Sequence, residues 1–161
     1  MAKYILEEML RVRVFRRDVA ERNLTQAQRL LEEAKANVTK MEKALADFKI
    51  FMEKESEQLY QKIIRQKVKK TSVDELYYAI KVLKNKLITH EQNAEAAKDN
   101  LIKAEQNLEE KRVILQEANK NVEKIHSHKE DWMKEAMKAE ELTLDKELEE
   151  FAKSKASRKE F

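Results

Sequence analysis

The sequence predicts an all-α protein: a long antiparallel two-helix coiled-coil hairpin formed by residues 1–161 as one domain. Two heptad seams and one interruption between them lead to this fold. From Leu76 to Ile125 the apolar residues recur at steps of four and three, through Leu83, Leu87, Ala94, Ala97, Leu101, Leu108, Leu115 and Val122. Of the fifteen seam positions in that stretch only His90 and Lys111 are polar. A spacing of 3.5 residues belongs to a helix that winds around another helix. A seam this narrow and this long demands a partner helix of similar length.

Composition points the same way. The chain has 161 residues and no Gly, Pro or Cys; 40% of it is charged and 6% aromatic. Such a profile fits a long helix or coiled coil rather than a layered globular fold. Disorder competes as an account of so charged a chain, but sustained heptads in a chain that is 42% apolar argue against it. The absence of cysteine excludes disulfides and thiolate metal sites. No apolar run approaches the length of a membrane span. Met1-Ala2-Lys3-Tyr4 leads into Glu7-Glu8 without the apolar core of a signal peptide. The expected location is therefore cytoplasmic, without direct membrane insertion. The net charge of +3 is small for this length and does not by itself call for nucleic acid.

Taken in order, the first element is helix 1, expected at about residues 3–68. Leu24, Ala27, Leu31, Ala34, Val38, Met41, Leu45, Phe48 and Met52 step by three and four without fault, and the pattern reaches Leu59 and Ile63. Before Leu24 it continues out of phase through Ile5, Met9, Val12 and Val19, which places a stutter near residues 20–24. The turn is expected at about 69–72. Ser72 with Glu75 three residues on has the pattern of a capping box, Asp74 and Glu75 suit a helix start, and Lys67, Lys69 and Lys70 suit a helix end. The turn holds none of the glycine usual past a helix end, so one uninterrupted helix is the competing architecture. Helix 2 is expected at about 72–154, followed by a frayed basic tail at 155–161. Antiparallel pairing would put Phe48 near Ala94 and Met41 near Ala97, large residues opposite small ones. At about 1.5 Å per residue each arm would form a rod roughly 100 Å long, with both chain ends at one tip and helix 2 outrunning helix 1.

Charge clusters at the ends of the expected rod. Arg11, Arg13, Arg16, Arg17 and Arg22 place five of the nine arginines within twelve residues. The C-terminal stretch is acidic through Glu140, Glu141, Asp145, Glu147, Glu149 and Glu150, then basic through Lys153, Lys155, Arg158 and Lys159.

Chemistry is sparse. A two-helix rod offers no concave site where catalytic groups converge, and without glycine there is no glycine-rich phosphate loop. His126 and His128 fall on different helix faces, and His126 with Glu130 supplies two ligands, too few for a closed zinc site. The chain is therefore expected to be no enzyme and to need no cofactor or metal. His90 reads as a packed seam histidine. The arginine cluster lacks the interleaved aromatics of a nucleic-acid reader, so a protein partner or plain solvation explains it better. Phe51 and one of Tyr77 and Tyr78 are expected to face outward, either as a docking patch or as a widened seam. Trp132, beyond the expected reach of helix 1, reads as a partner-facing anchor.

Three stretches resemble the FliJ/YscO family of type III secretion proteins. Tyr4-Ile5-Leu6-Glu7-Glu8-Met9-Leu10-Arg11 is similar to that family's opening Tyr-x-Leu-Glu segment, with Glu8 where a proline is often found. Thr71-Ser72 followed by Ile80-Lys81-Val82 matches its mid-chain turn. Most specific is His128-Lys129-Glu130-Asp131-Trp132-Met133-Lys134-Glu135-Ala136, which looks very like the same region of the chlamydial YscO branch. The resemblance implies an elongated monomer that inserts its end-bearing tip into a hexameric type III secretion ATPase and promotes its assembly and activity. It also implies contacts with the export gate, a membrane protein, and with secretion chaperones, at the cytoplasmic side of the inner membrane. Carried over by position, Arg13, Arg16, Arg17, Trp132 and Met133 would face the ATPase, and Phe48, Phe51, Tyr77, Leu83 and His90 would face the gate. Two other function classes compete: a self-associating structural coiled coil without an ATPase partner, and a nucleic-acid-binding rod.

Overall fold

The computed structural model describes residues 3–159. Helix α1 spans Glu7–Gln61 and helix α2 spans Lys70–Lys159. They pack against each other as an all-α hairpin, with no strand among the described residues.

Both helix ends at the turn differ from expectation. α1 stops at Gln61 rather than near 68. The Ile63 and Ile64 amides both donate to the Tyr60 carbonyl, at 3.1 and 3.0 Å, which tightens the last turn. Arg65 then takes a left-handed conformation (φ 63°), the part a glycine usually plays past a helix end, and the Gln66 amide closes onto Ile63 O at 3.3 Å. The chain therefore makes its turn without glycine, through one residue in a costly backbone region. α2 starts at Lys70, and Ser72 lies within its first turn with its amide on the Lys69 carbonyl at 3.0 Å. The expected capping box thus falls just inside the helix rather than at its boundary.

At the other end α1 begins at Glu7, not residue 3. Glu7 and Glu8 sit in its first turn, where carboxylates favour the positive pole of the helix. α2 remains helical through Lys159, so the frayed tail expected from 155 is helix as far as that residue. No Gly or Pro interrupts it, and Arg158 and Lys159 in the last turn suit the negative pole. Residues 160–161, the remainder of that expected tail, lie outside the described residues, as do 1–2.

The hairpin divides into two compact units, Leu24–Lys111 and Met1–Asn23 with Arg112–Phe161. The boundary after Asn23 coincides with the phase step read near residues 20–24. Within Leu24–Lys111, Ala27, Leu76, Leu83, Ala94, Ala97 and Leu108 are buried. The remaining seam positions of both helices, His90 and Lys111 among them, are half-buried. His90 owes its cover to Phe48, whose ring lies 4.6 Å from the imidazole. Phe48 therefore meets His90, one helical turn from the expected Ala94. Glu42 and Lys98 pair across the same seam at 3.8 Å.

Within the unit holding both chain ends, Leu10, Ala20, Val122 and Ile125 are buried, and Leu6, Val14 and Arg17 are half-buried beside them. The seam here thus starts at Leu6, just ahead of α1, and continues in the helix through Leu10, Val14 and Ala20. Of Ile5, Met9, Val12 and Val19, which carried the expected out-of-phase continuation, the first three are exposed and Val19 is half-buried. The first turns of α1 carry two apolar stripes, and only one can face α2. In α2 the last covered residue is Ala136; every described residue from 137 to 159 is exposed.

Candidate functional site

The unit holding the chain ends contains the densest set of polar and aromatic contacts. Tyr4, ahead of α1, is 6% exposed and lies against α2. Its phenolic oxygen is 2.6 Å from Nδ1 of His128, and its ring meets Trp132 edge-on at 5.3 Å. Edge-to-face contact directs the positive rim of one ring at the negative face of the other. Lys129 Nζ lies 5.9 Å from the Tyr4 ring centroid and pairs with Glu7 at 3.0 Å, both partners being partly shielded. Trp132, read as an anchor standing clear of helix 1, is half-buried because the segment before α1 reaches it. Met133, next to it, is exposed.

One and a half turns into α1 the arginines separate by environment. Arg13 is half-buried and donates to the Asn121 carbonyl at 3.1 Å, bridging the two helices. Arg17 is half-buried with Nη2 3.3 Å from Asp18, and its buried Nε has no hydrogen-bond partner among the described residues. Arg16 is exposed. Arg13, Phe15, Arg16 and Val19 form one bank of a groove of about 460 Å³, with Ile114 and Ala118 of α2 opposite. The groove was not foreseen, because Phe15 and Ile114 lie off both seams; their apolar character at non-seam positions is the signal that marks them.

In the unit Leu24–Lys111, the residues singled out for the export gate fall into three settings. Phe48, Phe51 and His90 form a ring cluster, Phe51 standing 6.0 Å from Phe48 and reaching the surface. Tyr77 and Tyr78 are both exposed, where one had been expected to turn inward. Leu83 is 7% exposed and belongs to the seam. Among the described residues no group of three His, Asp or Glu side chains could hold a metal ion, and no helix is long and apolar enough to cross a membrane.

Comparison with known proteins gives this geometry a family. No curated protein matches the chain by sequence. Among solved structures, a YscO homologue from Chlamydia trachomatis is 29% identical, with a TM-score of 0.74 over 95% of this chain and 94% of that one. The type III secretion protein YscO of Vibrio parahaemolyticus, 22% identical, shares the fold with a TM-score of 0.87 over 91% of this chain and 92% of that one. The family model for type III secretion protein YscO matches residues 6–154. With a match over nearly its whole length and the same helical hairpin, the chain belongs to the YscO family of type III secretion proteins.

Proposed function

We propose that the protein is the non-enzymatic stalk of a type III secretion ATPase: it binds inside the hexameric ring at the cytoplasmic face of the inner membrane, promotes assembly and turnover, and links the ring to the export gate and to secretion chaperones. Family membership carries this reading, since YscO proteins act in type III secretion. Two features of the site support it. Five arginines crowd residues 11–22 of the chain-end unit, so a ring lumen of opposite sign would steer this part of α1 in without holding it permanently. Arg16 and Met133 are exposed there and available to a partner, whereas Arg13 is engaged with the Asn121 carbonyl, Arg17 with Asp18 and Trp132 with Tyr4. For the gate, Phe51 and Tyr77 offer the accessible aromatic surface, and Phe48 and His90 hold Phe51 in place.

The test is the ATP turnover of the cognate ATPase with and without this protein. Stimulation is expected, and Arg16→Glu alone should remove most of it while leaving helicity unchanged. An ATPase whose rate and hexamer content ignore the protein would refute the reading. Export-gate binding is expected to fall about tenfold in Phe51→Ala, the loss typical of one aromatic anchor.

A further inference from the structure

Among the described residues, two apolar stripes in the unit that contains the chain ends are uncovered. The first starts at Ile5, just ahead of α1, and runs along the helix through Met9, Val12 and Phe15, with Ile5 77% and Phe15 62% exposed. It leads into the groove beside Val19, Ala20 and Ala118. The second runs along the uncovered part of α2 through Met137, Leu144, Leu148 and Phe151, with Phe151 68% exposed. On a helix these four positions fall within one narrow arc, since they step by seven, four and three. The stripes Ile5–Val19 and Met137–Phe151 cover equal lengths of chain.

Their charges are opposite. Residues 11–22 hold five arginines against Asp18 and Glu21, whereas residues 137–151 hold six carboxylates against Lys138 and Lys146. The two stripes of one molecule cannot meet. α2 is helical without a break through Lys159, so residues 137–151 point away from their own α1 and do not fold back onto it. A second molecule has no such restriction.

We infer that two copies of this chain pair through their ends, the 137–151 stripe of each lying on the 5–19 stripe of the other, with Phe151 entering the partner's groove. The levels agree. Tyr4 closes each hairpin against Trp132, and Met137 follows little more than one helical turn later. Two molecules meeting tip to tip therefore bring Met137 of one alongside Ile5 of the other and Phe151 alongside Val19, with the two segments parallel. The contact occurs twice about a two-fold axis, so association closes at the dimer and does not propagate. The dimer is the resting form of the free protein, in which the surface offered to the ATPase is covered. The pairing does not depend on that partner, so either reading can fail alone.

Sedimentation of the full chain across micromolar to millimolar concentrations tests this, with circular dichroism to verify that each variant keeps its helix. The wild type is expected to pass from monomer to dimer and stop there. Val12→Glu with Phe15→Glu on one stripe, or Leu148→Glu with Phe151→Glu on the other, should weaken pairing by at least about tenfold. A mixture of the two double variants should recover a dimer with one intact contact out of two. A protein monomeric throughout, growth beyond the dimer, or a dimer indifferent to Val12→Glu with Phe15→Glu would each overturn the proposal, the last by showing that the α2 segments pair with each other.

Discussion

Tyr4 shows how one side chain outside any helix closes the end of the hairpin. It is buried, its hydroxyl meets His128 at 2.6 Å, and its ring covers Trp132. Tyr4→Phe removes only the hydroxyl and is expected to cost about 1 kcal/mol, the net worth of a hydrogen bond. Tyr4→Ala removes the cover as well and is expected to cost about 3 kcal/mol. Because Trp132 is the sole tryptophan, its fluorescence reports this site directly: emission should move to the red in Tyr4→Ala and barely move in Tyr4→Phe. Unchanged emission in both would mean that Trp132 takes its cover from elsewhere. Arg65 makes the opposite case at the turn. Its left-handed backbone burdens a residue with a Cβ by about 1 kcal/mol relative to glycine. Arg65→Gly is therefore expected to raise the stability to urea by about 0.5–1 kcal/mol, with the m-value unchanged; a loss of stability would show that the Arg65 side chain itself holds the turn.

Element by element, the heptads were the most legible feature. All fifteen seam positions from Leu76 to Ile125 are buried or half-buried, and so are the seam positions of α1 from Leu24 to Met52. Periodicity fixes a face, and a single uncontested stripe leaves no choice about which face is inward. Where α1 carries two stripes, the periodic signal could not choose. Leu6, Leu10 and Val14 won over Ile5, Met9 and Val12 because α2 offers Val122 and Ile125 opposite them. The exposure of Trp132 differs from expectation for a related reason: its cover comes from Tyr4, a residue ahead of the helix that a helix-to-helix count leaves out. The turn was read a few residues late because its backbone signal is a left-handed arginine, which composition does not reveal. The close approach of the helices is carried by alanine. Ala97 is 2% exposed, so Ala97→Leu is expected to overpack the seam and cost about 1–3 kcal/mol. Leu on the exposed face, as in Lys103→Leu, should cost almost nothing. Thermal unfolding of the two variants separates packing from helix propensity, which favours Ala only slightly over Leu.

For the molecule as a whole, paired and uncovered helix are separated along α2. The covered part of α2 ends at Ala136, and the described residues 137–159 beyond it touch no facing helix. This uncovered extension of α2 has no packing to hold it, so its stability comes from propensity, side-chain pairs and the charges at its end, and it frays more readily than the paired part. Amides from 76 to 125 exchange only when the two helices separate, whereas those from 140 to 159 exchange by local fraying. Hydrogen exchange of the dilute protein should thus be slower in the first stretch by on the order of a thousandfold, equivalent to ~4 kcal/mol of opening free energy. Raising the protein concentration then distinguishes the possible uses of the free segment. Pairing of the ends slows exchange in 137–151 and in 7–19 together, because every contact in the dimer joins one stretch of each kind. Pairing of the α2 segments alone slows 137–151 and leaves α1 unchanged. If neither stretch responds to concentration while the cognate ATPase slows both, the uncovered helix is reserved for the ring, and its two stripes are a binding surface that only the ring occupies.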